Sequence, residues 1–105
     1  MPESTSGWYH TVDMEELRAR VFGRVQMVLF RDFTRRTARR LGLTGFVRNL
    51  EDGSVEVAAQ GERAPLEKLL AALRRGSMLS HVERVESEWR EPSERFGDFS
   101  ITYGG

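Results

Sequence analysis

Apolar and polar residues alternate from Met14 onward, with Leu17, Ala19 and Val21 on one side and Arg18 and Arg20 on the other. This period of two predicts a half-buried strand that ends at Gly23. Residues 23–30 read as the tail of that strand followed by a loop. The period then lengthens: Phe30, Phe33, Thr37 or Ala38, and Leu41 recur at helical spacing, while arginines take the opposite side. Gly42 closes this helix where a left-handed cap is expected. Thr44 to Asn49 predicts a second strand, with Phe46 and Val47 inside. Glu51-Asp52-Gly53 is a hairpin signal, and Val55, Val57 and Ala59 alternate after it until Gly61. Leu66, Leu69, Leu70 and Leu73 mark a second helix, with Pro65 at a start that tolerates it and Gly76 at its end. Strand-like pieces follow at about 81–90, with Val85 and Trp89 inward, and at 97–103, with Phe99, Ile101 and Tyr103 on one face.

The order is β-α-β-β-α-β with a short extra strand. It predicts an α+β, ferredoxin-like sandwich, in which a mainly antiparallel sheet of four to five strands carries two helices on one face. Residues 1–13 are polar and show no steady period. They read as a flexible N-terminal tail, with Trp8 and Tyr9 as candidate surface anchors, ahead of a single domain over 14–105. No apolar run approaches the roughly 20 residues that span a bilayer, and no basic-then-apolar start suggests a signal peptide. The expectation is therefore a soluble, cytoplasmic protein without a membrane partner.

Composition narrows the chemistry. The chain has no Cys, which removes disulfides, thiolate catalysis, Cys-based zinc sites and iron–sulfur clusters. Two His, at 10 and 81, leave little from which to build a transition-metal site, and no metal or other cofactor is expected. Chemistry must run on Arg, Asn, carboxylates, hydroxyls and backbone. Sixteen basic and sixteen acidic residues cancel, yet residues 18–48 hold nine Arg against the single acid Asp32. Such a block is a candidate anion-facing surface. The blander account of Arg35, Arg36, Arg39 and Arg40 is the solvated face of a helix. An RNA-binding reading of the same helix lacks paired aromatics on the central strands, and the zero net charge also speaks against nucleic acid. Glu83, Glu86 and Glu88 read as solvated positions on an outer strand, His81 as a polar strand start and Trp89 as core.

The loop at 23–30 and the helix beginning near Arg31 make an anion site by construction. Helix N-termini leave several backbone N–H groups unpaired and carry the positive end of the dipole. Arg31 can add a planar fork matched to two phosphoryl oxygens. On this logic alone, an Arg31 that pairs with a carboxylate or faces water remains open.

Three stretches resemble a known family. Gly23-Arg24-Val25-Gln26-Met27-Val28-Leu29-Phe30-Arg31 looks like the acylphosphatase signature G-x-V-Q-G-V-x-F-R. Leu41-Gly42-Leu43-Thr44-Gly45-Phe46-Val47-Arg48-Asn49 is similar to that family's second motif, L-G-L-x-G followed by an aromatic, Val, a basic residue and Asn. Asp52-Gly53-Ser54-Val55-Glu56-Val57 matches its D-G-x-V-E-V hairpin, and the resemblance covers about 14–103. It implies hydrolysis of the carboxyl-phosphate anhydride of an acyl phosphate to a carboxylate and inorganic phosphate, by a metal-free monomer. It further implies that Arg31 and the backbone amides of Val25, Gln26, Met27, Val28, Leu29 and Phe30 hold the phosphoryl group, and that Asn49 orients the attacking water. One position departs from the pattern: Met27 stands where the family has Gly, a residue used where backbone needs positive φ or approaches a ligand closely. The departure opens a second reading, a member of the same fold that binds phosphate or an acyl phosphate with weak turnover or none.

Overall fold

Seven elements follow one another along the chain: β1 (Glu15–Arg24), α1 (Phe30–Arg40), β2 (Thr44–Asn49), β3 (Val55–Gly61), α2 (Arg63–Arg75), β4 (His81–Arg90) and β5 (Phe99–Ile101). The computed structural model describes residues 14–27 and 29–103; the expected tail with Trp8 and Tyr9 lies outside the described residues, as does Val28. The strands form one sheet in the order β4-β1-β3-β2-β5. All neighbours are antiparallel except β2 and β5, which pair in parallel through Gly45 with Phe99 and Val47 with Ile101. This is the ferredoxin-like arrangement expected from the element order, with β5 as the extra strand.

The alternation along β1 puts Leu17, Ala19 and Val21 into the core, where they meet Val47, Val55, Val57, Ala59 and Phe99 from the other strands. The helices close over this face: α1 buries Phe30, Thr34, Thr37 and Ala38, and α2 buries Leu66, Leu69, Leu70, Ala72 and Leu73. Thr34 is satisfied inside its own helix by donating to the Phe30 carbonyl at 2.9 Å. The caps fall where the glycines predict them, with Gly42 at φ 76° and Gly76 at φ 79°.

Two inward assignments are corrected. In a strand successive side chains point to opposite faces, so Phe46 cannot join Val47 in the core. Phe46 lies half-buried on the helix-free face, edge-on to Phe96 at 5.7 Å, with the Arg18 and Arg48 guanidiniums each 5.6 Å from its ring centre. Tyr103 does not continue the Phe99–Ile101 face, because β5 ends at Ile101, and its side chain is 76% exposed. Trp89 packs partly buried against the core as expected, with the Arg63 guanidinium 3.6 Å above its ring.

Strand direction positions the site. β1, β2 and β5 run one way, and β3 and β4 the other. The loop after β1, Asn49 at the end of β2 and the residues following β5 therefore gather at one end of the sheet. Gly45 allows β2 to approach β3 closely: a Cβ at this φ of 144° would stand 1.8 Å from the Ala58 carbonyl oxygen.

Candidate active site

β1 leaves the sheet through a bulge. Its register against β4 shifts between Phe22 and Gly23, and Gly23 takes φ 132°. Any Cβ there would meet the His81 carbonyl oxygen at 2.1 Å, so the first motif glycine is a steric requirement. Beyond it Val25 is buried, Met27 and Leu29 adopt left-handed φ of 59° and 62°, and α1 starts at Phe30. Met27 thus takes up the backbone conformation that a glycine would supply, at a cost of about 1–2 kcal/mol. Its side chain points outward and is 96% exposed. The first bond of the α1 ladder runs from Phe33 N–H to the Leu29 carbonyl at 3.0 Å, and no side chain caps the helix. The amides of Phe30, Arg31 and Asp32 precede that ladder and lie at the positive end of the dipole.

Arg31 stands at this point, half-buried beside a cavity of about 300 Å³ lined by Val25, Met27, Leu29, Phe30, Arg31, Asp32 and Ile101. Its guanidinium lies 5.1 Å from the centre of the Tyr103 ring. Neighbouring arginines of α1 are engaged. Arg36 Nε and Arg35 Nη2 each donate to Asp32 at 2.8 Å, and these bonds, Arg36 foremost, hold the Asp32 carboxyl below the usual carboxylate range. Arg39 donates to the Phe99 carbonyl at 3.0 Å and to Asp98 at 3.1 Å. Among the described residues no carboxylate pairs with Arg31, so its fork remains available to an exogenous anion. A larger cavity of about 440 Å³ lies on the helix-free face, but its lining mixes Arg18, Arg20, Arg48 and Arg90 with Glu56, Glu86 and Glu88. Arg48 pairs with Glu56, Arg90 with Glu88 and Arg18 with Glu16, so little net field is left there for an anion.

Asn49 ends β2 opposite Val55. Its Oδ1 is buried and accepts no hydrogen bond from any described residue. A buried acceptor left this way costs about 1–3 kcal/mol, which a water or a ligand donor can recover. The loop is tied to this place by Gln26, whose Nε2 donates to the Leu50 carbonyl at 2.9 Å and to the Ser54 carbonyl at 2.8 Å. Leu50 directly follows Asn49, so one amide group sets the spacing between the loop before α1 and the end of β2. On the other side, Tyr103 follows β5, the parallel neighbour of β2, and carries Arg31.

Of the residues that the sequence nominated, Arg31, Met27 and Leu29 line one cavity, and Gln26 links their loop to the strand end that bears Asn49. The Val25 side chain turns into the core, and Phe30 is buried as well. Val28 lies outside the described residues. Sequence reasoning missed Tyr103 as a support for Arg31 and the Gln26 side chain as a clamp. The only trace of the clamp is a lone amide among apolar loop residues.

This geometry can be set beside known proteins. The acylphosphatase family model matches residues 17–101. The acylphosphatase of Salinibacter ruber is 45% identical over 87 residues, covering 83% of this chain and 92% of the relative. That of Dehalococcoides mccartyi is 47% identical over 91 residues, covering 86% of this chain and all of the relative (100%). Among solved structures, acylphosphatase from Bacillus subtilis superposes with a TM-score of 0.82 at 36% identity, over 85% of this chain and 99% of that one. With the family model matched from residue 17 to 101 and relatives 45% and 47% identical over 83% and 86% of its length, the chain belongs to the acylphosphatase family.

Proposed function

We propose that the protein hydrolyses acyl phosphates at this end of the sheet, with Arg31 and the loop amides from Val25 to Phe30 holding the phosphoryl group and Asn49 orienting the water. The observation that carries the reading is the pairing, at one sheet end, of an arginine that no carboxylate of the described residues engages and a buried amide oxygen to which no described residue donates. Water attacks phosphorus, the P–O bond to the acyl oxygen breaks, and the acyl carboxylate leaves with that electron pair. Both water protons end on phosphate as H2PO4⁻, so the charges balance without an added acid or base. Because a carboxylate is a good leaving group, the protein has mainly to position the reactants and stabilise equatorial charge. The left-handed backbone at Met27 keeps the loop conformation that a glycine would supply, with its side chain turned outward. The accompanying expectation is a cytoplasmic monomer without a membrane partner, and the zero net charge supports its acting without nucleic acid.

The test is the initial rate of benzoyl phosphate hydrolysis, followed by loss of ultraviolet absorbance with EDTA present. Turnover is expected. A folded protein that inorganic phosphate protects against unfolding, but that forms no product, would move the assignment to the binding-only member of the fold.

Gln26 provides a second check. Gln26→Leu keeps the bulk of the side chain but removes both hydrogen bonds, and kcat is expected to fall about tenfold or more as the water drifts from the phosphoryl group. Inhibition by inorganic phosphate should change less than kcat, because the amides and Arg31 remain. Equal losses in both would show that Gln26 serves only to hold the loop itself.

A further inference from the structure

Cys thiolates and Met thioethers are the sulfur groups that peroxides oxidise. This chain has no Cys and four Met, so sulfur oxidation falls entirely to its thioethers. Met1 lies outside the described residues, and Met14 is largely covered at the head of β1. Met27 and Met78 stand in the open, 96% and 97% exposed. Of these two, Met27 lines the cavity beside Arg31, whereas Met78, in the connection from α2 to β4, is not among the described residues that do. The signature that this loop resembles has no side chain at the position of Met27, and the core makes no use of it, so neither fold nor phosphate cradle needs the thioether. A Met side chain is unbranched with three rotatable bonds, which lets its sulfur turn between solvent and cavity while the loop stays in place. Arg31, on the same cavity wall, has a guanidinium that no carboxylate of the described residues engages. A thioether is a weak acceptor and leaves that fork free. A sulfoxide is polar, and its oxygen is an acceptor that a guanidinium can grip.

We propose that Met27 is a site of reversible oxidation by peroxide, and that its sulfoxide occupies Arg31 and weakens the binding of phosphate. A sulfur lone pair attacks one oxygen of hydrogen peroxide, and an S–O bond forms as the O–O bond breaks. The departing hydroxide takes the proton from the transferred oxygen and leaves as water. Sulfur gives up an electron pair and the peroxide is reduced by it, so the step balances without a further reactant. The inference rests on the anion site at Arg31 and not on turnover. It adds control of that site by a side chain that the signature lacks.

The experiment treats the wild type, Met27→Leu, Met27→Gly and Met78→Leu with hydrogen peroxide and compares each protein with itself before treatment, so effects of the substitution alone cancel. Peptide mass spectrometry locates the added oxygen. Affinity for inorganic phosphate is read from thermal unfolding at increasing phosphate. Oxygen is expected on both Met27 and Met78 of the wild type. Displacing a sulfoxide from a charged donor should then raise the phosphate dissociation constant about tenfold. Met78→Leu should lose affinity to the same extent on treatment, while Met27→Leu and Met27→Gly should not respond. Methionine sulfoxide reductases specific for the two sulfoxide epimers should together restore the wild type. A Met27 that stays unoxidised while Met78 reacts would overturn the proposal, as would a fully oxidised Met27 with unchanged phosphate affinity. A loss of affinity that persists in both Met27 variants would overturn it too, by assigning the effect to another group. Untreated protein that phosphate does not protect would overturn the anion site and this proposal together. The expected response in a protein that turns over no benzoyl phosphate would support the oxidation site and overturn only the hydrolase reading.

Discussion

Replacing Arg31 by Ala is expected to lower kcat/KM for benzoyl phosphate by about 10³-fold while leaving the fold intact. The size follows from position. Arg31 is the α1 arginine at the helix start that is not engaged by Asp32 or Asp98, and it lies beside amides that precede the helical ladder. In the transition state, charge spreads over the equatorial phosphoryl oxygens, which a planar guanidinium can grip in pairs. Arg31→Lys should recover only part of the loss, because a point charge cannot reproduce the fork. The structural consequence is small, since half-buried Arg31 meets the exposed ring of Tyr103, and such a contact contributes about 0.5–1 kcal/mol. Thermal unfolding with and without inorganic phosphate supplies the control: the wild type should gain stability from phosphate and Arg31→Ala should not. Unchanged turnover in Arg31→Ala would remove it from the site.

Asn49→Ala should show a different signature. Its expected cost is about 10²-fold in kcat, with KM and phosphate inhibition close to wild type, because the proposed role has the amide touch the water and not the phosphoryl group. Stability should hold or rise slightly. The Asn49 Oδ1 acceptor is buried without a donor among the described residues, and deleting it removes a desolvation cost of about 1–3 kcal/mol that folding otherwise bears. A residue retained at the expense of stability is what a functional site predicts. Denaturant titration beside steady-state kinetics separates the accounts. A clear loss of stability with normal kcat would make Asn49 a turn residue entering the β2–β3 hairpin.

Much of this is legible in the chain alone. The periods of two and 3.6 delimit β1, α1, α2 and β4 closely, because each buries one face and the burial demands the pattern. Gly42 and Gly76 mark helix ends for a backbone reason that survives any packing. The motif residues Gly23, Gln26, Arg31 and Asn49 announce the family and nominate a site, since local backbone needs and donor chemistry are written residue by residue. Met27 announces a departure from the pattern but not its outcome.

Tertiary structure decided what depends on partners distant in sequence. Phe46 went to the helix-free face, where Phe96 and two arginines meet it, because the pleat allows Phe46 and Val47 only opposite sides. Tyr103 left the core face because β5 ends at Ile101, and it became a support for Arg31. That no carboxylate of the described residues engages Arg31 could not be read from nine Arg against one acid over residues 18–48, since it depends on Asp32 and Asp98 claiming its neighbours. The clamp from Gln26 to Leu50 and Ser54 joins residues 24 and 28 positions apart. Sequence determines which groups a backbone segment can offer; only the folded sheet, by setting strand direction and register, determines which of them meet.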